Sequence, residues 1–385
     1  MIIQDVATSN FLSWCTTQGI ESSLMLKGSH PYRYVTCQQD LVPDSSTGSS
    51  SDKRNRVPLI SVPLQACLTG DSQTALADRL TFEKMSGKDS LFSPYLEMLP
   101  LGLEEEDENG RKSSLLEMPR FWNDERLASI SNFDDGQLTT RLEVDDQNEE
   151  EKLVDEWALA CVKSRSNFLD DGTYAMTPLL DMMNHDPTVK TKAQVLGRKD
   201  KNKEKGFQKD ELLLPNGPVL ELSSFDRTYS AGDEVFISYG DLTNLETLTN
   251  YGFVADDNPC NVECLDVRLI LSPDPVRVAV ASDGTIAIET LAILRRMLAN
   301  GNEAKNKSKE TLDDFMKPLS ENNELEVLSF LATELDMSSK SARRGALEAA
   351  TIREDRLVTS YLATRAVTFE RAIESIKEKY PDLGY

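Results

Sequence analysis

The chain has 385 residues, 39% of them hydrophobic and 28% charged, which fits one large or two medium domains with a modest core and some polar loop. Its 65 acidic and 42 basic residues give a net charge of −23. That balance makes the chain a poor candidate for nonspecific nucleic-acid binding, which needs Lys and Arg to neutralise phosphate, and argues against docking on an anionic membrane.

No apolar run is long enough to span a bilayer. The N-terminus, Met1-Ile2-Ile3-Gln4-Asp5, lacks the basic and apolar regions of a signal peptide. The six cysteines therefore read as reduced thiols of an intracellular protein, in the cytoplasm or nucleus, or in a plastid if a leader is missing. Cys260 and Cys264 are half a zinc site, only His30 and His185 could add imidazole, and no metal is expected.

In chain order, Phe11, Leu12 and Trp14 predict a helix that stops at Gly19. Short extended runs follow at Tyr32 to Thr36 and Leu59 to Val62. Between them, the stretch from Pro43 to Ser51 reads as a solvated insertion. Residues 73–86 predict a helix through Leu76, Leu80 and Lys84. The acidic run from Glu104 to Glu108 reads as a solvated loop. Residues 149–163 predict another helix, with Leu153, Trp157 and Ala160 inward.

Over 174–240 short apolar runs bounded by Gly and Pro predict strands, notably Val219 to Leu222 and Glu234 to Tyr239. A basic loop with Lys190, Lys192, Arg198, Lys199, Lys201, Lys203, Lys205 and Lys209 interrupts them. After about residue 285 the pattern is helical, with faces at Leu291, Leu294 and Leu298, at Leu325, Leu328 and Leu331, and at Leu362, Ala366, Phe369, Ile373, Ile376 and Tyr380.

Three segments carry chemistry: Pro178 to Asp186, Ala231 to Gly240, and Thr243 to Val254. One His beside Asp181 and Asp186 lacks the paired-ligand spacing of a zinc or iron site. No catalytic triad, Walker motif or dinucleotide glycine fingerprint is evident.

Together these segments resemble a SET-domain methyltransferase. Asn184-His185 is similar to the family's Asn-His motif, Ile237-Ser238-Tyr239-Gly240 to the strand with its tyrosine, and Tyr251-Gly252-Phe253 to the segment closing the cofactor pocket. The closer likeness is to the branch of the Rubisco large-subunit lysine methyltransferase and the actin-histidine methyltransferase. Asp89-Ser90, Pro94-Tyr95-Leu96, Leu99-Pro100, Phe121-Trp122, Trp157-Ala158, Ser164-Arg165, Glu321 to Glu324 and Glu354-Asp355 add to it.

The resemblance implies an α+β chain. Residues 1–258 would form a β-rich SET fold with a helical insert at about 73–165. Residues 259–385 would form an all-α domain that binds the substrate. It implies a monomeric S-adenosylmethionine-dependent protein N-methyltransferase acting on lysine, with a protein substrate and neither nucleic acid nor membrane as partner. Arg33, Arg165, Asp181, Met182, Met183, Asn184, His185, Tyr251, Gly252 and Phe253 would line the cofactor. Ser164, Asn167 and Asp181 would contact the substrate, and Tyr239 would be catalytic.

These residue types suit methyl transfer, an in-line displacement that needs positioning more than acid–base chemistry. The amine must be neutral, and a nearby sulfonium lowers its pKa. Carbonyl oxygens and the Tyr239 hydroxyl can polarise the methyl group and orient the lone pair. Asn184 offers an acceptor and a donor to an amino-acid-like ligand, and His185 can tie strands together.

One feature departs from the family, and another leaves the acceptor open. The family's Gly-x-Gly loop is replaced by Tyr32-Arg33-Tyr34, whose side chains require another backbone path or fill part of the cofactor site. That leaves a catalytically inactive protein-binding scaffold as an alternative. Asn167 matches an asparagine of the histidine-modifying relative, which makes histidine a second acceptor. That relative has tryptophan at the position of Leu180 and no tyrosine at that of Tyr251, which favours lysine here.

Overall fold

The computed structural model describes residues 5–29, 32–42, 56–106, 112–146, 148–197, 217–225, 227–269, 274–299 and 311–381. The stretch from Pro43 to Ser51, Asp107 and Glu108, and the basic residues from Arg198 to Lys209 lie outside them.

In chain order the elements are α1 (Val6–Thr17), β1 (Glu21–Ser22), β2 (Leu24–Ser29), β3 (Tyr32–Cys37), β4 (Arg56–Pro63), β5 (Leu68–Gly70), α2 (Gln73–Ser86) and α3 (Ser93–Leu96). Next come α4 (Asp124–Ser131), α5 (Gln137–Asp146), α6 (Glu156–Arg165), β6 (Ser166–Phe168), β7 (Tyr174–Met176), β8 (Asn184–His185), β9 (Lys190–Leu196) and β10 (Val219–Phe225). The chain closes with β11 (Phe236–Ile237), α7 (Asn244–Tyr251), β12 (Val262–Val267), β13 (Val276–Ala281), α8 (Ile288–Met297), α9 (Glu321–Glu348) and α10 (Arg356–Lys379). Two compact units result: Met1–Leu116 with Asn148–Gly240, and Glu117–Gln147 with Asp241–Tyr385. None of the described helices is long and apolar enough to cross a membrane.

The first unit is α+β, built from small sheets. Four strands run in the order β1-β4-β10-β9, three in the order β5-β7-β6, and β2-β3 and β11-β8 pair separately. Alternation sets the faces: Leu24 and Leu26 on β2 and Val35 and Cys37 on β3 are buried. Against the three-stranded sheet lie α2, with Leu76 and Leu80 fully buried, and α6, buried continuously from Trp157 to Val162. A helix apolar all round has to sit inside. Lys84 continues the α2 stripe because its ammonium stands over the Trp157 ring, 3.6 Å from the centroid.

Three expectations change here. The helix expected over 149–163 begins at Glu156, because the Asp155 carboxylate captures the Ala158 N–H at 2.9 Å and caps it there. Leu153 belongs to a separate 3-10 turn, Glu151–Leu153, and is 87% exposed rather than inward. The strand expected over Glu234 to Tyr239 is divided. The Val235 N–H donates to Val35 and the Cys37 N–H to Asp233, so its start belongs beside β3, while only Phe236–Ile237 pairs with β8. Lys190 and Lys192, expected in a loop, lie on β9, opposite Phe225 and Ser223 of β10.

The second unit is mainly helical. Its core joins Val327, Leu328, Leu331 and Leu335 of α9 to Phe369, Ala372 and Ile376 of α10 and to Leu294 of α8. It also contains a hairpin that the sequence reading passed over: β12 and β13 pair antiparallel, and Leu265, Val267, Val276, Val278 and Val280 feed the same core. Gly345 lets α9 approach its neighbours, since a Cβ there would lie 2.5 Å from the Phe133 ring.

A buried Arg365–Glu263 ion pair, with the exposed Asp135 at its edge, ties this unit together. Arg365 on α10 is fully buried and donates to Glu263 at 2.9 Å and to Asp135 at 2.6 Å. Glu263, on β12, is itself buried and also accepts from the Asn261 amide at 3.0 Å. Removing Arg365 strands the Glu263 charge without water. Arg365→Met is therefore expected to cost about 3–5 kcal/mol in urea unfolding, whereas Glu263→Gln combined with Arg365→Met should cost less than the sum of the single changes.

Candidate functional site

The site in the first unit is assembled from the turn after β7 and the segment that follows. Leu179 holds φ at +68° although it is a bulky residue, a conformation that costs of order 1–3 kcal/mol. It is buried, as are Leu180, Asp181, Met182 and Met183 after it. A 3-10 turn over Leu180–Met182 then leads into β8. The fold thus spends strain and burial on the stretch the sequence singled out.

β8 lies parallel to β11, with Asn184 opposite Phe236 and His185 opposite Ile237. Outside the ladder, the Asp186 N–H donates to the Ile237 carbonyl at 3.1 Å. The Tyr239 N–H lies 3.1 Å from Nδ1 of His185, and the same nitrogen lies 3.3 Å from the Ile237 carbonyl. Accepting from Tyr239 requires Nδ1 to be unprotonated, and the neutral ring allows that. The two rings also stack, with centroids 5.0 Å apart. With ring and backbone held, the Tyr239 hydroxyl donates to the Met183 carbonyl at 2.7 Å. A phenol beside a main-chain oxygen thus stands at the seam of two segments.

Asp181 lies deeper. Its Oδ2 accepts from the hydroxyl of Tyr95, which is fully buried, at 2.6 Å. Burial raises the Asp181 carboxyl to about 6, against the opposing pull of Arg165 and the Tyr95 hydroxyl. Burial, and then Asp181, also raises the Tyr95 phenol well above its usual value. Arg165 reaches the Asp181 backbone carbonyl at 2.9 Å through Nη1. Arg33 projects from β3 on the same face as Val35 and Cys37 and pairs with Asp5 at 3.4 Å. Three enclosed polar atoms, Arg33 Nε, Arg165 Nε and Asp181 Oδ1, have no hydrogen-bond partner among the described residues. Buried polar groups are normally satisfied, so this cluster asks for a polar ligand.

Other expected residues stand as follows. The Asn184 side chain is exposed and its amide donates to Glu234 at 2.7 Å, which leaves its carbonyl as the group to offer a ligand. The Ser164 hydroxyl turns back onto its own helix, to the Ala160 carbonyl at 2.8 Å. Asn167 sits half-buried on β6, opposite Ala175. Tyr251, Gly252 and Phe253 belong to the second unit. There Tyr251 ends α7 and its ring lies 6.0 Å from that of Phe253. Gly252 takes φ +73° as the cap, and a Cβ there would come within 2.9 Å of Glu117. Among the described residues no group of His, Cys, Asp and Glu gathers to hold a metal. Sequence reasoning assigned no role to Tyr95, Glu234 or Asp5. No local spacing links Tyr95 to Asp181, and only the fold brings them together.

Burial lowers the His185 pKa from its usual 6.5, against the Ile237 carbonyl and Asp186, which raise it. The neutral ring is favoured by folding, so its contribution is complete above 6.5 and is lost as pH falls through the lowered value. With two histidines in the chain, an NMR titration should resolve one midpoint below 6.5. Urea unfolding between pH 7 and 5 should show that His185→Gln loses less stability than wild type. A midpoint above 6.5 would contradict the Nδ1 acceptor role.

No family model matches the sequence. A stretch of 205 residues is 31% identical to human SET domain-containing protein 4, and it takes in 48% of this chain and 42% of that protein. The match therefore spans less than half of the relative's length. Among solved structures, the SET domain of LSMT bound to lysine and AdoHcy matches with a TM-score of 0.68 and 14% identity, over 98% of this chain and 92% of that one. Rubisco LSMT bound to AdoMet matches with a TM-score of 0.64 and 15% identity, over 99% and 93%. The α+β expectation holds, with a helical C-terminal region, and the chain has the SET-domain fold of the Rubisco LSMT structures.

Proposed function

We propose that this chain is an S-adenosylmethionine-dependent protein N-methyltransferase that modifies lysine. The observation that carries the reading is the Tyr239 hydroxyl on the Met183 carbonyl at 2.7 Å, one turn from a buried cluster with unmet hydrogen-bonding capacity. The fold neighbours that hold lysine or AdoHcy support it.

The residues present suit the amino-acid end of this cofactor. Arg33 Nε and Arg165 Nε are donors awaiting an acceptor such as a carboxylate, and Asp181 Oδ1 is an acceptor awaiting a donor such as an ammonium. The Asn184 carbonyl adds a second acceptor. When bound, the cofactor supplies a methyl group on a sulfonium, already activated for displacement.

The chain's own contribution is positional. The Tyr239 hydroxyl and the Met183 carbonyl form a polar edge that can orient a neutral amine and polarise methyl hydrogens. His185 holds that edge by fixing the Tyr239 backbone. Buried Met182 and Met183 exclude water from it. The helical region after residue 259 would present the protein substrate. Lysine is favoured over histidine by the resemblance at Leu180 and Tyr251, where the histidine-modifying relative has tryptophan and no tyrosine.

Calorimetry with AdoHcy should show binding to wild type. Tyr239→Phe should lower methyl transfer to protein by at least about 100-fold, the scale of one lost transition-state donor, while AdoHcy affinity changes little. Mass spectrometry of labelled peptides should place the methyl group on lysine. Absence of both AdoHcy binding and labelling in wild type would leave the SET fold as a scaffold without this activity.

A further inference from the structure

Two buried guanidinium groups share few acceptors in the first unit. Burial lowers the Arg33 pKa; Asp5 opposes this and the charge of Arg165 adds to it. Each group keeps an enclosed Nε without a partner among the described residues. The counter-charge facing Arg33 is Asp5, through a single long contact of 3.4 Å from Nη2 to Oδ2. The Arg33 side chain is 9% exposed and that of Asp5 38%, so the cation is enclosed and the anion partly faces solvent.

The two oxygens of Asp5 do different things. Oδ1 accepts the Thr8 N–H at 2.6 Å and caps α1. Oδ2 reaches Arg33. The helix behind it is anchored: the Phe11 and Trp14 rings pack on Tyr95 at 6.3 and 6.4 Å, and Trp14 Nε1 donates to the Leu91 carbonyl at 2.9 Å. Tyr95 in turn holds Asp181. The backbone of α1 is therefore fixed beside the cluster, and the Oδ2 contact with Arg33 can be exchanged while Oδ1 keeps the cap.

We propose that Asp5 is an internal occupant of a carboxylate-binding site, engaging Arg33 in the free protein and giving way to the carboxylate of an α-amino-acid ligand. A guanidinium that binds carboxylates bidentately gains little from one long contact, so Asp5 screens the buried charge without blocking exchange. Asp5 then sets affinity for the ligand's amino-acid end and is silent toward its nucleoside. This identification of the ligand rests on the cofactor reading above.

Asp5→Asn separates the two oxygens' roles, because Asn caps a helix as well as Asp but carries no charge. Calorimetry on the full chain should show AdoHcy binding tightened about three- to fivefold, the scale of a partly exposed ion pair. Binding of 5′-methylthioadenosine, which lacks the carboxylate, should not change. Acetate, titrated at constant ionic strength during thermal unfolding, should raise the Tm of D5N and leave that of wild type unchanged. Equal AdoHcy affinity in the two proteins would overturn the proposal and leave the cofactor reading intact. If neither protein binds AdoHcy, the cofactor reading fails and acetate decides: protection confined to D5N upholds Asp5 as the occupant, and no protection overturns it.

Discussion

A two-residue parallel pairing carries the site. Asn184–His185 on Phe236–Ile237 is too short to hold by its ladder alone, and parallel pairs are slightly weaker per residue. It persists because side chains close it: the His185 ring accepts the Tyr239 N–H, the Asp186 N–H meets the Ile237 carbonyl, and the Asn184 amide meets Glu234. Each bond joins one segment to the other, and the His185 ring is one of the ties that place Tyr239 beside the Met183 carbonyl.

Behind that seam the fold accepts unfavourable terms. Leu179 is held in a left-handed conformation, Asp181 is buried with its carboxyl pushed to about 6, and two guanidinium groups keep enclosed N–H groups without partners among the described residues. Strain and unsatisfied polar groups brought together in one cluster, as at Leu179, Asp181, Arg33 and Arg165, are what a ligand site looks like before its ligand arrives. In the second unit the buried guanidinium of Arg365 meets two carboxylates, Glu263 at 2.9 Å and Asp135 at 2.6 Å, whereas Arg33 has a single long contact with Asp5.

Much of the architecture was legible because periodicity reports burial. The stripes through Leu76 and Leu80, and through Leu362, Ala366 and Phe369, correspond to buried faces. The misreadings have physical causes. Leu153 is apolar and in phase with its neighbours, yet Asp155 starts the helix after it. Lys190 and Lys192 read as loop because their charge outweighs the alternation of a strand with exposed positions. The β12–β13 hairpin was visible in Val276, Val278 and Val280, whose period of two marks a strand, and was passed over because helical stripes follow it closely.

The sequence by itself determined the α+β class, the helical C-terminal region and the three segments around Asp181, Tyr239 and Tyr251. These rest on local spacing and on motif order along the chain. Only the tertiary structure decided that Tyr95 holds Asp181, that Asp5 faces Arg33, that Glu234 takes up the Asn184 amide, and that Tyr239 meets the Met183 carbonyl. Each joins residues far apart in the chain, and no local pattern encodes such a pairing. It exists because the strands and helices have one way to bury their apolar faces, and the polar groups they carry meet where that packing leaves them.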